Sequence, residues 1–316
     1  MLKHSINDLA LTTAVGGHYF LKRIVHRVGE HWRRGVGGFW VVAKRIRALI
    51  RAAHPGPSLA ITAMIALLAA EAAQRGSGPT LVAPAVLAGQ FSIGWSNDAF
   101  DADRDAAAGR ADKPIVAGAV SRRAVGIAAA AALALSVLAS FAIGEVAGTV
   151  NAVMMAAGWA YNAGLKSTLA SGLMYVVGFG LIPAFAASTL PGQPAARPWT
   201  IAAAAAVGLG AHFANVLPDL AGDEAVGVRG LPQRLAVRNG PAAVRLAALV
   251  LLLLASVLLV LASRGPHRWV ALAGLGAAAV LATIGARAPG RLPFMAAIGI
   301  AAIDVALFAF GGVALV

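Results

Sequence analysis

Residues 81–105 read LVAPAVLAGQFSIGWSNDAFDADRD. The first sixteen of these residues are uncharged and the last nine contain four aspartates, although the whole chain of 316 residues has only 13 acidic residues. The uncharged part approaches the roughly 20 apolar residues that a helix needs to cross a bilayer. The stretch therefore predicts a membrane helix that ends in a concentrated group of carboxylates.

The composition of the whole chain is that of an integral membrane protein. Hydrophobic residues make up 59% of it, charged residues only 12%, and the mean hydropathy is +0.77. Soluble domains carry about 25% charged residues. The chain has no cysteine, which excludes disulfides and thiolate metal sites. We attribute its net charge of +13 to a basic cytoplasmic surface and not to nucleic-acid binding, because no nucleic-acid-reading motif is present.

The apolar windows predict an all-α fold, a bundle of nine transmembrane helices. The windows are residues 58–75, 80–98, 122–142, 146–163, 169–190, 197–217, 241–262, 268–286 and 292–314. With the N-terminus in the cytoplasm, the connections on that side hold 22 of the 26 lysine and arginine residues. This asymmetry predicts cytoplasmic placement of the N-terminus and an external C-terminus, in an inner or plasma membrane of bacterial type.

The chain divides into a basic N-terminal leader, residues 1–55, and a membrane domain, residues 56–316. The leader contains HRVGEHWRR and AKRIRALIR with scattered aromatic and aliphatic residues. This pattern favours one or two amphipathic helices on an anionic membrane surface, and a poorly ordered leader is the alternative.

Two connections on the predicted cytoplasmic side hold eight of the 13 acidic residues. In the first, Asp98, Asp101 and Asp105 follow the i, i+3, i+7 spacing of one helix face, bordered by Asn97, and Asp103 lies off that face. In the second, His212, Asn215, Asp219 and Asp223 would share a face if one helix continued past Pro218. The sequence thus predicts two polar stripes that lead from the cytoplasmic surface into the bundle.

The residue types in these stripes predict a magnesium site. Aspartate and asparagine supply hard oxygen ligands, which suit Mg²⁺ better than zinc or copper. Mg²⁺ commonly takes one or two carboxylates and completes its shell with water and substrate phosphate. The two clusters could therefore hold a diphosphate through bridging Mg²⁺. A solvated acidic loop, neutralised by Arg104 and Arg110, is the alternative.

Basic residues near the clusters are candidate partners for phosphate. They are Arg110, Lys113, Lys166 and Arg229. Positive-inside topology explains each of them equally well, except Lys166, which is the only charge in its short connection. Asp304 lies inside the last apolar window and belongs to no motif, so we expect it to hydrogen-bond to a neighbouring helix.

Four motifs resemble those of the UbiA-type intramembrane prenyltransferases. NDAFDADRD, from Asn97, fits NDxxDxxxD, and RADKPIVAG, from Arg110, is similar to the segment that follows it. YNAGLKS, from Tyr161, resembles YxxxLK, and DLAGDEAVGVRGLP, from Asp219, resembles the second acidic motif. The resemblance covers about residues 54–316. One departure is Gly230, where the family often has threonine before Leu-Pro.

The resemblance implies a central cavity, a cytoplasmic cap formed by the two acidic connections, and Mg²⁺-dependent binding of an isoprenyl diphosphate. It implies that Asn97, Asp98, Asp101, Asp219 and Asp223 hold the metal and diphosphate. Asp105 would join them or the cap. It further implies that Lys166, Arg110, Lys113 and Arg229 steady the departing diphosphate and that Tyr161 lines the cavity beside the carbocation. Asn215, on the second polar stripe, is a further candidate for binding the donor.

The expected reaction is transfer of the prenyl group to an aromatic or other lipophilic acceptor within the bilayer. Phosphoribosyl transfer to a polyprenyl phosphate and cyclisation of the prenyl chain are alternatives on the same fold. A transporter with an intramembrane cation site is a third, but the acids lie at one membrane edge and no inverted repeat is evident.

Overall fold

The computed structural model describes residues 42–72, 81–225, 227–263, 265, 267–311 and 315–316. The chain divides into two compact units, Met1–Ile50 and Arg51–Val316. Of the first unit only residues 42–50 are described, and they are helical. The rest of the predicted amphipathic leader, residues 1–41, lies outside the described residues.

The described residues form helices joined by short connections, as the apolar windows predict. The helices are α1 (residues 42–52), α2 (Pro55–Ala72), α3 (Val82–Ala107), α4 (Arg122–Ile143), α5 (Glu145–Asn162), α6 (Ser171–Gly180), α7 (Ile182–Ser188), α8 (Pro198–Val216), α9 (Leu220–Ala225), α10 (Leu231–Asn239), α11 (Pro241–Ala262), α12 (His267–Arg287) and α13 (Leu292–Phe310). A 3-10 turn, Leu165–Ser167, links α5 to α6. The all-helical prediction is confirmed.

Local sequence signals explain where several helices begin. Ser121 caps α4 by accepting a hydrogen bond from the backbone N–H of Ala124 at 3.2 Å. Proline stands in the first turn of α8, α10, α11 and α13, where its missing N–H costs nothing because that group has no helical partner. Gly240, at a φ of +82°, reverses the chain between α10 and α11, a conformation that favours glycine.

Within the described part of the chain, five helical segments are long and apolar enough to cross a membrane. They are Arg122–Ile143, Ser171–Ser188, Pro198–Val216, Pro241–Ala262 and His267–Arg287. Shorter apolar helices cover Pro55–Leu67 and Leu292–Phe308. The chain is an integral membrane protein, and the count of nine crossings, the central cavity and the cap remain predictions.

Small residues allow the helices to pack closely. The most extensive packing joins α3 to α4 and α8 to α11. A Cβ atom on Gly210 of α8 would lie 2.8 Å from Cγ of Leu252 on α11, so glycine is required for this approach. Asp304 on α13 is fully buried, and the hydroxyl of Ser256 on α11 donates a hydrogen bond to its Oδ1 at 2.5 Å. This contact is the interhelical hydrogen bond expected for Asp304.

Candidate active site

The acidic end of α3 has the phasing that its sequence predicts. Asp98, Asp101 and Asp105 are buried, with relative exposures of 2%, 9% and 8%. Asp103 projects to the other side, where its side chain is exposed and accepts a hydrogen bond from Arg122 at 2.8 Å. One helix face therefore carries three buried carboxylates, which need compensation from other segments.

Lys166 compensates Asp101. Its Nζ lies 2.5 Å from both carboxylate oxygens of Asp101 and 3.3 Å from Oδ1 of Asn97. The lysine is buried because the 3-10 turn after α5 directs it against α3. Burial lowers the pKa of Lys166, and the hydrogen bond to Asp101 acts in the opposite direction. Arg104 reaches Asp101 as well, at 3.4 Å.

Two basic side chains contact the carboxylate of Asp98. Nζ of Lys113 donates to Oδ1 of Asp98 at 2.6 Å, and Nε2 of His54 lies 2.9 Å from the same oxygen. The second oxygen, Oδ2, is buried and has no hydrogen-bond partner among the described residues. Asp98 thus has one oxygen held by basic groups and one that is available to a ligand.

The negative charge of Asp105, the third carboxylate of the face, is compensated less closely by nearby cations. Its Oδ1 is 3.8 Å from the guanidinium of Arg110, which lies equally far from Asp112. Burial raises the pKa of Asp105, whereas the charges of Lys113 and Arg110 lower it. Asp105 therefore lies at the edge of the site.

The second acidic motif departs from the predicted continuous stripe. Helix α8 ends at Val216, and residues 217–219 form a turn before α9. Pro218 explains the break, since proline has no N–H to donate to the carbonyl four residues earlier and so cannot continue the helical hydrogen bonds. His212 in α8 is buried, whereas Asn215 in the same helix and Asp219 in the turn are exposed. The prediction that these residues share one face with Asp223 is wrong.

Asp223 is held by a residue that the sequence analysis did not identify. Nε2 of Gln233, on α10, donates to Oδ2 of Asp223 at 2.7 Å. Burial raises the pKa of Asp223, the hydrogen bond from Gln233 lowers it, and the nearby charge of Asp219 raises it. The Asp223 carboxylate is therefore partly desolvated and fixed in direction.

The two acidic motifs come together around Lys166. Asp223 is close enough to Arg104 and Lys166 for their charges to act on it. Tyr161 is close enough to Asp101 and Asp223 for the charges of both carboxylates to act on its hydroxyl group. Gly230 makes the approach possible: a Cβ at this position would collide with the carbonyl oxygen of Lys166. The departure from the family pattern at Gly230 thus has a local steric reason.

Aromatic side chains lie against this polar cluster. The ring of Tyr161 meets Tyr175 edge-on, with centroids 5.3 Å apart, and Tyr175 stacks on His212 at 4.5 Å. Ser171 joins the wall to α10, because its Oγ accepts from the backbone N–H of Leu231 at 2.9 Å and lies 3.0 Å from Nε2 of His212. The charged site therefore borders an apolar, aromatic wall.

The candidate residues divide into those that this arrangement gathers and those that it does not. The gathered set is Asn97, Asp98, Asp101, Asp105, Arg110, Lys113, Tyr161, Lys166 and Asp223. Asp219 is exposed beside Asp223, and Asn215 and Arg229 are exposed and enter none of these contacts within the described ranges. Two further residues of the site, His54 and Gln233, were not predicted, because neither belongs to a polar pattern visible in the sequence. His54 falls within the predicted leader.

The donor atoms fit a shared Mg²⁺ site better than a closed protein cage. Among the described residues, no group of three or more acidic, histidine or cysteine side chains is gathered tightly enough to hold a metal ion alone. The unpaired Oδ2 of Asp98 and the carboxylates of Asp101 and Asp223 supply hard oxygens. Mg²⁺ needs few protein ligands when waters and phosphate oxygens complete its shell.

Comparison with solved structures shows the fold. A digeranylgeranylglyceryl phosphate synthase studied in membranes superposes with a TM-score of 0.64 at 14% identity, covering 85% of this chain and 98% of that chain. A UbiA homologue from Archaeoglobus fulgidus bound to GPP and Mg²⁺ gives 0.62 at 16%, covering 84% and 99%. The apo UbiA homologue from Aeropyrum pernix K1 gives 0.64 at 18%, covering 77% and 95%.

Comparison with families adds the assignment that such low identities cannot give. No curated protein matches this chain significantly. The model of the UbiA prenyltransferase family, however, matches residues 58–291, well over half of the chain and all four acidic and basic motifs. The chain therefore belongs to the UbiA prenyltransferase family.

Proposed function

We propose that the protein transfers a prenyl group from an isoprenyl diphosphate to an aromatic or other lipophilic acceptor within the membrane, in a Mg²⁺-dependent reaction. The observation that carries the proposal is the pairing of Asp98 with Lys113 and of Asp101 with Lys166, with Asp223 close enough to Lys166 and Tyr161 for their electrostatic interaction. Anionic oxygen ligands, phosphate-binding cations and an aromatic wall are the three elements that such a reaction needs.

Relatives support the donor and the metal. The Archaeoglobus fulgidus homologue binds GPP and Mg²⁺. We assign Asn97, Asp98, Asp101, Asp219 and Asp223 to the metal and diphosphate set of this chain. We assign Lys166, Lys113 and Arg110 to the diphosphate oxygens. Asn215 and Arg229 are exposed, so they would bind the donor only if the second acidic motif moved toward it.

The paired lysines give the site a way to accept the donor without leaving buried charges uncompensated. The ammonium groups of Lys113 and Lys166 neutralise the carboxylates of Asp98 and Asp101. Mg²⁺ held by these carboxylates would supply neutralisation of their charge and of the charge that develops on the leaving group. Lys113 and Lys166 would then be available to donate hydrogen bonds to diphosphate oxygens.

The reaction follows from this division of charge. The allylic C–O bond breaks with its electron pair on the diphosphate, where Lys166 and Lys113 stabilise the new negative charge. The allylic cation remains beside the rings of Tyr161 and Tyr175, whose faces attract positive charge and which shield it in part from water. The acceptor bonds to the cation and loses a proton to solvent or to the diphosphate.

The charge asymmetry supports an orientation for this site. Because lysine and arginine favour cytoplasmic connections, we propose that the N-terminus and both acidic motifs lie on the cytoplasmic side. A water-soluble Mg²⁺ and the diphosphate head would then enter from the cytoplasm, while the prenyl chain and the acceptor enter from the bilayer.

The test is turnover of a labelled donor by the purified protein in lipid. Protein with Mg²⁺, labelled geranylgeranyl diphosphate and a panel of lipophilic acceptors should release diphosphate and form a prenylated product. EDTA should stop the reaction. A cyclic hydrocarbon as the product, or consumption of phosphoribosyl diphosphate with no turnover of any prenyl diphosphate, would overturn the proposal.

A further inference from the structure

The connection between α1 and α2 places a histidine on the first acidic motif. Nε2 of His54 lies 2.9 Å from Oδ1 of Asp98, 44 residues further along the chain. An ionised carboxylate can only accept hydrogen bonds. The nearby Nζ of Lys113, 3.4 Å from the same ring nitrogen, donates to Oδ1 of Asp98 at the shorter distance of 2.6 Å. The network therefore assigns the proton to Nε2, so that the imidazole donates to Asp98.

The backbone of this connection is held by several independent contacts. The carbonyl of His54 accepts from the N–H of Ser58 at 3.3 Å, and the carbonyl of Ala53 accepts from the hydroxyl of Ser58 at 2.9 Å. The guanidinium of Arg51 donates to the carbonyl of Asp112 at 3.3 Å, in the connection that also carries Lys113. These contacts fix the backbone from which the imidazole projects, and the side chain itself is 43% exposed.

His54 itself adopts a left-handed backbone conformation, with a φ of +51°. A residue with a side chain rarely adopts this conformation, which persists only when surrounding contacts over-determine it. Gly94 of α3 provides the space: a Cβ there would lie 2.5 Å from the carbonyl oxygen of Ala53. The chain therefore maintains a strained residue and a close backbone approach at the point where His54 meets Asp98.

We propose that His54 is a positioning residue of the diphosphate site, which orients the Asp98 carboxylate so that its free Oδ2 is presented to Mg²⁺ and the donor. With Oδ1 held by His54 and Lys113, rotation of the carboxylate is restricted and Oδ2 is left without a partner among the described residues. A hydrogen bond to the non-coordinating oxygen of a ligating carboxylate orients that ligand. The inference rests on the proposed function, because it takes Asp98 as a ligand of the metal–diphosphate complex.

The first test removes the imidazole without disturbing the backbone. Glycine adopts a φ of +51° readily, so His54→Gly deletes the side chain and suits the local conformation. Loss of an outer partner of a metal ligand costs about 10–100-fold in metal affinity or activity. We expect His54→Gly to raise the half-saturating Mg²⁺ concentration of turnover by about that factor, and His54→Gln, whose amide can reach Asp98, to recover most of it.

The second variant leaves His54 intact and moves it. Gly94→Ala introduces the Cβ that collides with Ala53, so the connection must shift and the contact to Asp98 must lengthen. It should reproduce the Mg²⁺ phenotype of His54→Gly. Two matched controls are His267→Gln, at an exposed histidine, and Gly126→Ala, at a helical glycine with open space. Both controls should retain the wild-type Mg²⁺ dependence.

A binding measurement separates this inference from the proposed function. Binding of Mn²⁺ with inorganic diphosphate, followed by electron paramagnetic resonance on the full chain in detergent, needs no prenyl transfer. The inference is supported if His54→Gly binds Mn²⁺ with diphosphate at least about tenfold more weakly than wild type does and unfolds at the same midpoint. Equal binding by the two proteins, or no binding by wild type, overturns it. Normal Mn²⁺ binding without prenyl transfer overturns only the proposed function.

Discussion

The two acidic motifs have the same residue types but different physical environments. In the first, Asp98 and Asp101 are buried on a long helix, and each is paired with a lysine from another segment. In the second, Asp219 is exposed on a turn. Asp223 lies on a short helix, and its carboxylate accepts a hydrogen bond from the neutral amide of Gln233. The first motif is pre-organised by charge pairs, whereas the second can adjust its position at low cost. The first should therefore contribute to stability as well as to binding, and the second to binding alone.

The largest expected effect is at the Asp101–Lys166 pair. Asp101→Asn should abolish turnover and lower the free energy of unfolding by about 3–5 kcal/mol, because it leaves the buried ammonium of Lys166 uncompensated. Unfolding can be followed by chemical denaturation in detergent. Asp103→Asn, at the exposed aspartate of the same helix, is the control and should change stability by less than about 0.5 kcal/mol.

A double substitution sharpens this prediction. Asp101→Asn with Lys166→Met removes both charges, so most of the lost stability should return while turnover remains absent. If the double variant is as unstable as the sum of the two single variants, then the pair is not the source of the stability of the first motif.

The second motif should show a loss of activity with little loss of stability. Asp219→Ala is expected to reduce turnover to background, as proposed for a metal ligand, while the unfolding midpoint remains that of wild type because the side chain is exposed. Full activity of this variant would exclude Asp219 from the metal set. A large fall in stability would remove the distinction between the two motifs.

A smaller effect is expected at Gln233. Gln233→Leu removes the one hydrogen bond to the Asp223 carboxylate among the described residues, and outer partners of this kind are worth about 10–100-fold. The loss should appear in the KM for the diphosphate donor, because the amide orients a binding group. Gln233→Glu should be at least as damaging, since it places a second carboxylate beside Asp223. Unchanged donor binding in both variants would show that α10 does not orient the second motif.

The smallest effect is a steric one, at the place where the two motifs meet. Gly230→Ala introduces a Cβ against the carbonyl of Lys166, and overpacking of this kind costs about 1–3 kcal/mol. Because the strain falls on the backbone of Lys166, turnover should fall along with stability. Gly178→Ala, at a helical glycine with open space, is the matched control in both measurements.

Much of the candidate site was predictable from local patterns. The i, i+3, i+7 spacing of Asp98, Asp101 and Asp105 predicted one buried face and the exclusion of Asp103, and both are confirmed. Such reasoning works because an uninterrupted helix converts spacing into direction. It failed at the second motif, where Pro218 interrupts the helix and separates His212 from Asp219 and Asp223.

Residue type and spacing by themselves determined the membrane class, the helical fold and the acidic face of α3, because each depends on hydrophobicity and on a regular period along one segment. The resemblance to the family rested on the four motifs. Only the tertiary structure decided the partners: Lys113 for Asp98, Lys166 for Asp101, Gln233 for Asp223, and His54 from a segment that the sequence assigned to the leader. These contacts join residues 10 to 65 positions apart. Which side chain pairs with which carboxylate depends on how the helices and their connections pack, and no local period encodes that packing.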